Sequence, residues 1–156
     1  MSNQIFLTNP EALIGHNETS DWLTIDEEHL KAFDHASYLE ADRVDLTPSR
    51  NHALGPELVD GFLLLSLLVY FDFASPLFRT EGGYGFNYGV DRVRFTQPVY
   101  VGQRVRLHRT VADIKQKTPT RTLATLDTEL EVEGSAKPAM VARWLFMLVD
   151  GKSENE

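Results

Sequence analysis

The sequence predicts an α+β fold in which a curved antiparallel sheet wraps around one long, buried helix. Three observations carry that expectation. Residues 61–74, GFLLLSLLVYFDFA, are apolar on every side of a helical wheel, so the helix should be enclosed all round. Directly after it, Gly82 to Gly102 reads GGYGFNYGVDRVRFTQPVYVG, an aromatic, glycine-punctuated strand that breaks at Gln97-Pro98 and resumes before turning at Gly102. The C-terminal half then alternates apolar and polar residues at the period of a strand.

Taken in order, Trp22 to Ile25 reads as a short strand or extended entry. Thr24 and Glu27 have capping-box spacing, and Asp26 offers an alternative N-cap. A helix should cover Glu27 to about Ser37, with Leu30, Phe33 and Ala36 on one face. The carboxylates Asp26, Glu27 and Glu28 suit the positive end of its dipole. Tyr38 to Val59 is irregular, punctuated by Pro48, Gly55 and Pro56, and Thr47 to Arg50 opens a short helical turn. Asp60 reads as the N-cap of the apolar helix.

Four strands follow, at residues 85–95, about 103–115, about 122–133 and 139–149. Turns are expected at Lys117 to Thr120 and Gly134 to Pro138. In the third strand Ala124, Leu126, Thr128, Leu130 and Val132 oppose Asp127, Glu129, Glu131 and Glu133. The last strand is apolar on both faces, so it should be central or covered on both sides. One domain is expected over residues 1–150, with 151–156 a disordered tail. A curled sheet leaves an exposed edge or face, which pairing in a homodimer would cover.

The chain has 156 residues, enough for one sizeable core, with 42% hydrophobic and 24% charged residues. It has no cysteine, which excludes disulfides, thiolate metal sites and a cysteine nucleophile. Net charge is −8, from 23 acidic and 15 basic residues, which repels phosphate backbones and argues against nucleic acid as a partner. The apolar helix is too short and too polar, with Ser66 and Asp72, to span a membrane. The first residues lack a secretory pattern, so a cytoplasmic protein is expected. His16, His29 and His108 have no metal-ligand spacing, and no GxGxxG, Walker or nucleophile-elbow pattern occurs. Neither metal nor cofactor is therefore expected.

Several stretches resemble the MaoC-like hydratases and dehydratases, a single-hotdog family that includes (R)-specific enoyl-CoA hydratases and nodulation protein N. They are Ser20 to Ile25, Gly61 to Leu68, Phe86 to Phe95, Pro98 to Gly102 and Ala142 to Leu145, in family order over about residues 14–149. The resemblance implies a hotdog fold and an acyl-CoA or acyl-carrier thioester as substrate. Family members carry an aspartate followed five positions later by a histidine, and a histidine just before the glycine that opens the central helix. Pairing Thr47-Pro48 with the family's Asp-Pro sets Glu40 at the aspartate and Asp45 at the histidine. Asp60 then stands before Gly61. Both histidines are replaced by carboxylates.

Adding water to a 2-enoyl thioester needs a base, an acid and a donor for the enolate oxygen. The resemblance assigns the donor to the Gly61 N–H, strengthened by the helix dipole. Glu40 and Asp45 would share proton work, because two nearby carboxylates can hold one proton between them. Asp60, otherwise an ordinary N-cap, would stand at the mouth of the site. Asn87, Tyr88 and Ser66 would line the acyl pocket, with core packing the competing role for Tyr88. His35 and His52 are the nearest remaining imidazoles. Three functions follow: a hydratase or dehydratase with a carboxylate site, a non-catalytic thioester-binding or assembly subunit, and a thioesterase using Asp60 or Glu40 as base.

Overall fold

The computed structural model describes residues 10–50, 52–78 and 82–151 of the chain. A 3-10 turn (Pro10–Leu13) leads into strands β1 (Asn17–Thr19) and β2 (Leu23–Thr24). Helices α1 (Glu27–Ala36), α2 (Thr47–Arg50) and α3 (Gly61–Ala74) come next. Strands β3 (Tyr84–Phe95), β4 (Arg104–Thr118), β5 (Arg121–Val132) and β6 (Met140–Val149) complete the order. All pairings are antiparallel, in the order β1-β4-β5-β6-β3, with β2 also on β4. β6 is thus interior, as its two apolar faces require, and β3 forms one edge.

Alternation decides which side of the sheet becomes the core. Val105, Leu107 and Val111 of β4 are buried with Leu126, Leu130 and Val132 of β5 and Met140 and Trp144 of β6. Residues between them, such as Arg106, Asp127, Glu129 and Arg143, face the other way. Helix α3 lies on the buried side, where Leu63, Leu64, Leu68 and Phe71 join the same cluster. Leu30 and Phe33 of α1 pack against its margin as expected of that helix, whereas Ala36, also expected on that face, is exposed. Asp26, rather than Thr24, is the N-cap of α1, its carboxylate accepting from the His29 amide at 2.9 Å.

One expectation fails. Helix α3 is not enclosed all round: Phe62, Val69, Tyr70 and Phe73 are 68%, 36%, 50% and 80% exposed. With Ser66 they recur at helical spacing and form one stripe, opposite the stripe that meets the sheet. Among the described residues, the chain covers only one side of the helix. Smaller differences concern ends. β4 runs through Lys117 to Thr118, because Thr118 pairs with Arg121 across a two-residue turn at Pro119 and Thr120. Three-residue β1, too short to leave a pattern in sequence, is held by the β4 edge. Of the tail, residues 152–156 lie outside the described residues.

Candidate active site

Two segments fix the start of α3. Val59 donates its amide to the Val99 carbonyl at 2.8 Å, and Val101 donates to Glu57 at 3.0 Å. The chain therefore enters the helix as an extended strip pinned beside residues 99–101. Asp60 sits in extended geometry and its carboxylate accepts from the Phe62 amide at 2.7 Å, so it caps the helix. Its carbonyl accepts from the Leu64 amide at 3.2 Å. No acceptor for the Gly61 N–H occurs among the described residues. Space is tight at Gly61: a β-carbon there would stand 3.0 Å from the Phe95 ring, which would have to give by a few tenths of an ångström.

The segment between α1 and α2 holds the other two carboxylates. Tyr38 takes a left-handed backbone, φ 63°, and reverses the chain as α1 ends. The Leu39 amide reaches back to Asp34 at 2.9 Å, and Ser37 Oγ donates to the Phe33 carbonyl at 2.7 Å. That reversal brings Glu40 to His35, with Oε2 to Nδ1 at 3.0 Å, while Arg43 Nε lies 3.8 Å from the other oxygen. The hydrogen bond and charge of Glu40 raise the His35 pKa. Arg43 also lies over the Tyr38 ring, 5.1 Å from its centroid. Asp45 accepts from the Thr47 amide at 2.9 Å, at the start of α2. Hydrogen bonds from the Thr47 side chain and amide hold its carboxyl below the usual range.

Glu40, Asp45 and Asp60 are thus each engaged locally. No hydrogen bond or ion pair joins any two of them among the described residues. Ser66 gives its hydroxyl to the Leu63 carbonyl at 2.6 Å. Asn87 Oδ1 accepts from the Trp144 indole N–H at 3.0 Å. Tyr88 is the extra residue of a bulge between Asn87 and Gly89, and its side chain is 59% exposed rather than packed in the core. A groove of about 530 Å³, lined by Arg92, His108, Asp127, Glu129 and Arg143 among others, opens on the outer face of the sheet, opposite α3.

Sequence reasoning missed the charge cluster at the other end of α3. Arg109, only 4% exposed, donates to Glu18 at 2.8 Å, to Asp72 at 3.3 Å and to the Ser75 carbonyl. It ties β1 and the C-terminal end of α3 to the middle of β4. Burial raises the Asp72 pKa against the pull of Arg109. Burial also acts upward on Glu18, but Arg109 and His16 together hold it below its ordinary value. The signal was present in two broken patterns: an arginine in the inward row Val105, Leu107, Arg109, Val111, and one aspartate in an apolar helix.

No family model matches the chain. Curated relatives do. The chain is 33% identical over 148 residues to nodulation protein N of Rhizobium meliloti, spanning 92% of this chain and 91% of that protein. It is 36% identical over 133 residues to 3-hydroxyacyl-thioester dehydratase Z of Mycobacterium tuberculosis, spanning 83% and 86%. Among solved structures, the MaoC-like dehydratase from Rhodospirillum rubrum aligns with a TM-score of 0.68 at 16% identity, over 88% of this chain and 92% of that one. A curved antiparallel sheet laid over one central helix, in this strand order, is the hotdog fold. The chain belongs to the MaoC-like hydratase/dehydratase family, on the strength of its identity to both relatives over most of their length.

Proposed function

We propose that the protein is an acyl-thioester hydratase or dehydratase, interconverting 2-enoyl and 3-hydroxyacyl thioesters carried by CoA or an acyl-carrier protein. One observation carries the reading: the Gly61 amide, without an acceptor among the described residues, opens the central helix of a protein 36% identical to a 3-hydroxyacyl-thioester dehydratase. An amide at the positive end of a 14-residue helix is suited to a thioester oxygen as it gains enolate character. In hydration the oxygen of water bonds C3, a proton goes to C2, and the C2–C3 double bond is consumed. Glu40 is the preferred group for proton work, because its contact with His35 gives it a partner that can take or return a proton. Asp45, held below the usual carboxylate range, is the weaker base, and Asp60 remains the group nearest the amide in sequence. Ser66, Asn87 and Tyr88 stay assigned to the acyl side.

The active form in this reading is a homodimer in the cytoplasm. Support for the dimer comes from the apolar stripe Phe62, Val69, Tyr70 and Phe73, left open by the described residues, and from the outer edge of β3, which has no strand partner among them. Loss of ultraviolet absorbance on adding the protein to a 2-enoyl-CoA tests the activity. Turnover that falls at least about ten-fold in Glu40→Gln is expected from loss of a general acid–base. Turnover that is unchanged in both Glu40→Gln and Asp45→Asn removes those residues from the mechanism.

A second reading is favoured by a specific observation. No histidine occupies the Asp45 or Asp60 position, and the carboxylates there are committed to capping. A thioester-binding subunit without turnover fits that arrangement. Saturable acyl-CoA binding with neither hydration nor thiol release from any thioester would select it.

A further inference from the structure

An aromatic wall stands beside the Gly61 amide. Phe95 lies against Gly61 at the distance given above, and it meets Phe62 edge to face, with centroids 6.2 Å apart and planes at 77°. Phe62 is 68% exposed and Phe95 is 45% exposed, so neither ring serves mainly to fill the core. Their backbones are nonetheless well held. Phe62 is in the first turn of α3, and Phe95 pairs with Met140 at the end of β3. The next residue, Thr96, donates its amide to Ala139 at 2.9 Å and its hydroxyl to Pro138 at 2.6 Å. A pair of rings fixed from two elements, beside an unused donor, shapes whatever accepts from that donor.

Resting on the hydratase reading, we infer that Phe95, backed by Phe62, determines specificity and restricts the substrate to thioesters unbranched at C2. A carbonyl oxygen bonded to the Gly61 N–H brings C1, and then C2, alongside the Gly61 α-carbon. On that side the ring edge stands 3.0 Å from where a carbon added to Gly61 would sit, so a group of that size fits only if the ring gives way by a few tenths of an ångström. A hydrogen on C2 fits without that shift, and a methyl group does not. C2 is also the atom that takes up or gives up the proton, so crowding there acts on turnover as well as on binding.

The test uses the purified 156-residue protein with crotonyl-CoA and its 2-methyl analogue, tiglyl-CoA. Wild type should favour crotonyl-CoA in kcat/KM by about ten-fold or more, the discrimination one methyl group gives in a close-fitting apolar site. Phe95→Ala should reduce the preference to about three-fold or less by raising tiglyl-CoA turnover, on the same scale. Phe95→Leu serves as the second variant, with circular dichroism checking that each folds. Equal wild-type rates, or a preference that neither variant changes, overturn the wall while leaving hydration standing. If neither ester is hydrated, the functional reading fails, and calorimetric binding of butyryl-CoA and 2-methylbutyryl-CoA decides the wall separately. Equal affinities overturn it; tighter butyryl-CoA binding that Phe95→Ala abolishes supports it.

Discussion

Arginine–carboxylate contacts occur on both faces of this sheet, and they are not equivalent. On the outer face Arg143 grips Asp127 through two nitrogens at 2.8 and 3.2 Å, and Arg106 meets Glu131 at 2.7 Å. Arg104 and Arg106 also lie over Trp22, at 5.4 and 4.4 Å from its centroid. These side chains remain in water, which screens them and offers substitutes for any partner removed. On the inner face Arg109 has no such alternative. It answers two carboxylates and a helix-end carbonyl from a position that is 4% exposed. Good geometry outside adds little, whereas a partner lost inside leaves a charge stranded.

The sharpest way to break that contrast is Arg109→Met, which should lower stability by about 3–5 kcal/mol in urea unfolding, the cost of orphaning a buried carboxylate. A loss below about 1 kcal/mol would put Arg109 in the class of exposed pairs. The pH dependence has a definite sign. The folded pKa of Asp72 is raised above its unfolded value. Folding therefore binds that proton more tightly, and the associated stability is present in acid and lost as pH rises through the folded pKa. The Arg109→Met deficit should accordingly be greatest near neutrality and shrink as the solution is acidified.

Asp60→Ala is expected next in size. Losing the cap of α3 should cost about 1 kcal/mol by denaturant midpoint. An unchanged midpoint would show that packing of α3 on the sheet, not its cap, holds the Gly61 end in place.

Glu40→Gln should move a titration rather than the fold. His35 is raised by the Glu40 hydrogen bond first and its charge second. Its contribution is present below the ordinary imidazole value and lost as pH rises through the raised one. NMR titration should find the His35 pKa lower in Glu40→Gln, with the unfolding midpoint unchanged when measured at a pH above the raised value. A His35 pKa unmoved by that substitution would dissolve the pair. The smallest effect belongs to Arg143→Ala, for which no measurable shift in midpoint is expected at physiological salt; a clear loss would mean that the outer face is not the solvated surface described.

Much of the frame was legible because its signals are local. Caps and period marked α1 and α3 to within a residue or so, and alternation placed β5 and β6. What covers an apolar helix is not local. Leu64 and Phe73 look alike in sequence, yet one is buried and the other is 80% exposed, because the sheet reaches only one side. The same holds for the charges. Asp60 and Asp45 could be read as polar residues before helices, but Glu40's partner depends on the left-handed turn at Tyr38. Arg109 meets Glu18 across 91 positions of sequence, a distance that no local pattern spans. Likewise Phe95's approach to Gly61 arises from tertiary packing that no local pattern in the sequence shows.

Strand β3 is twice interrupted against β6, first at Tyr88 and again between Asp91 and Arg94, where Arg92 adopts φ 56°. Such kinks bend and twist the strand away from a straight ladder. A bent margin can still meet one partner of matching curvature, but it is a poor template for adding chain after chain in register, so the sequence builds resistance to fibrous growth into this rim.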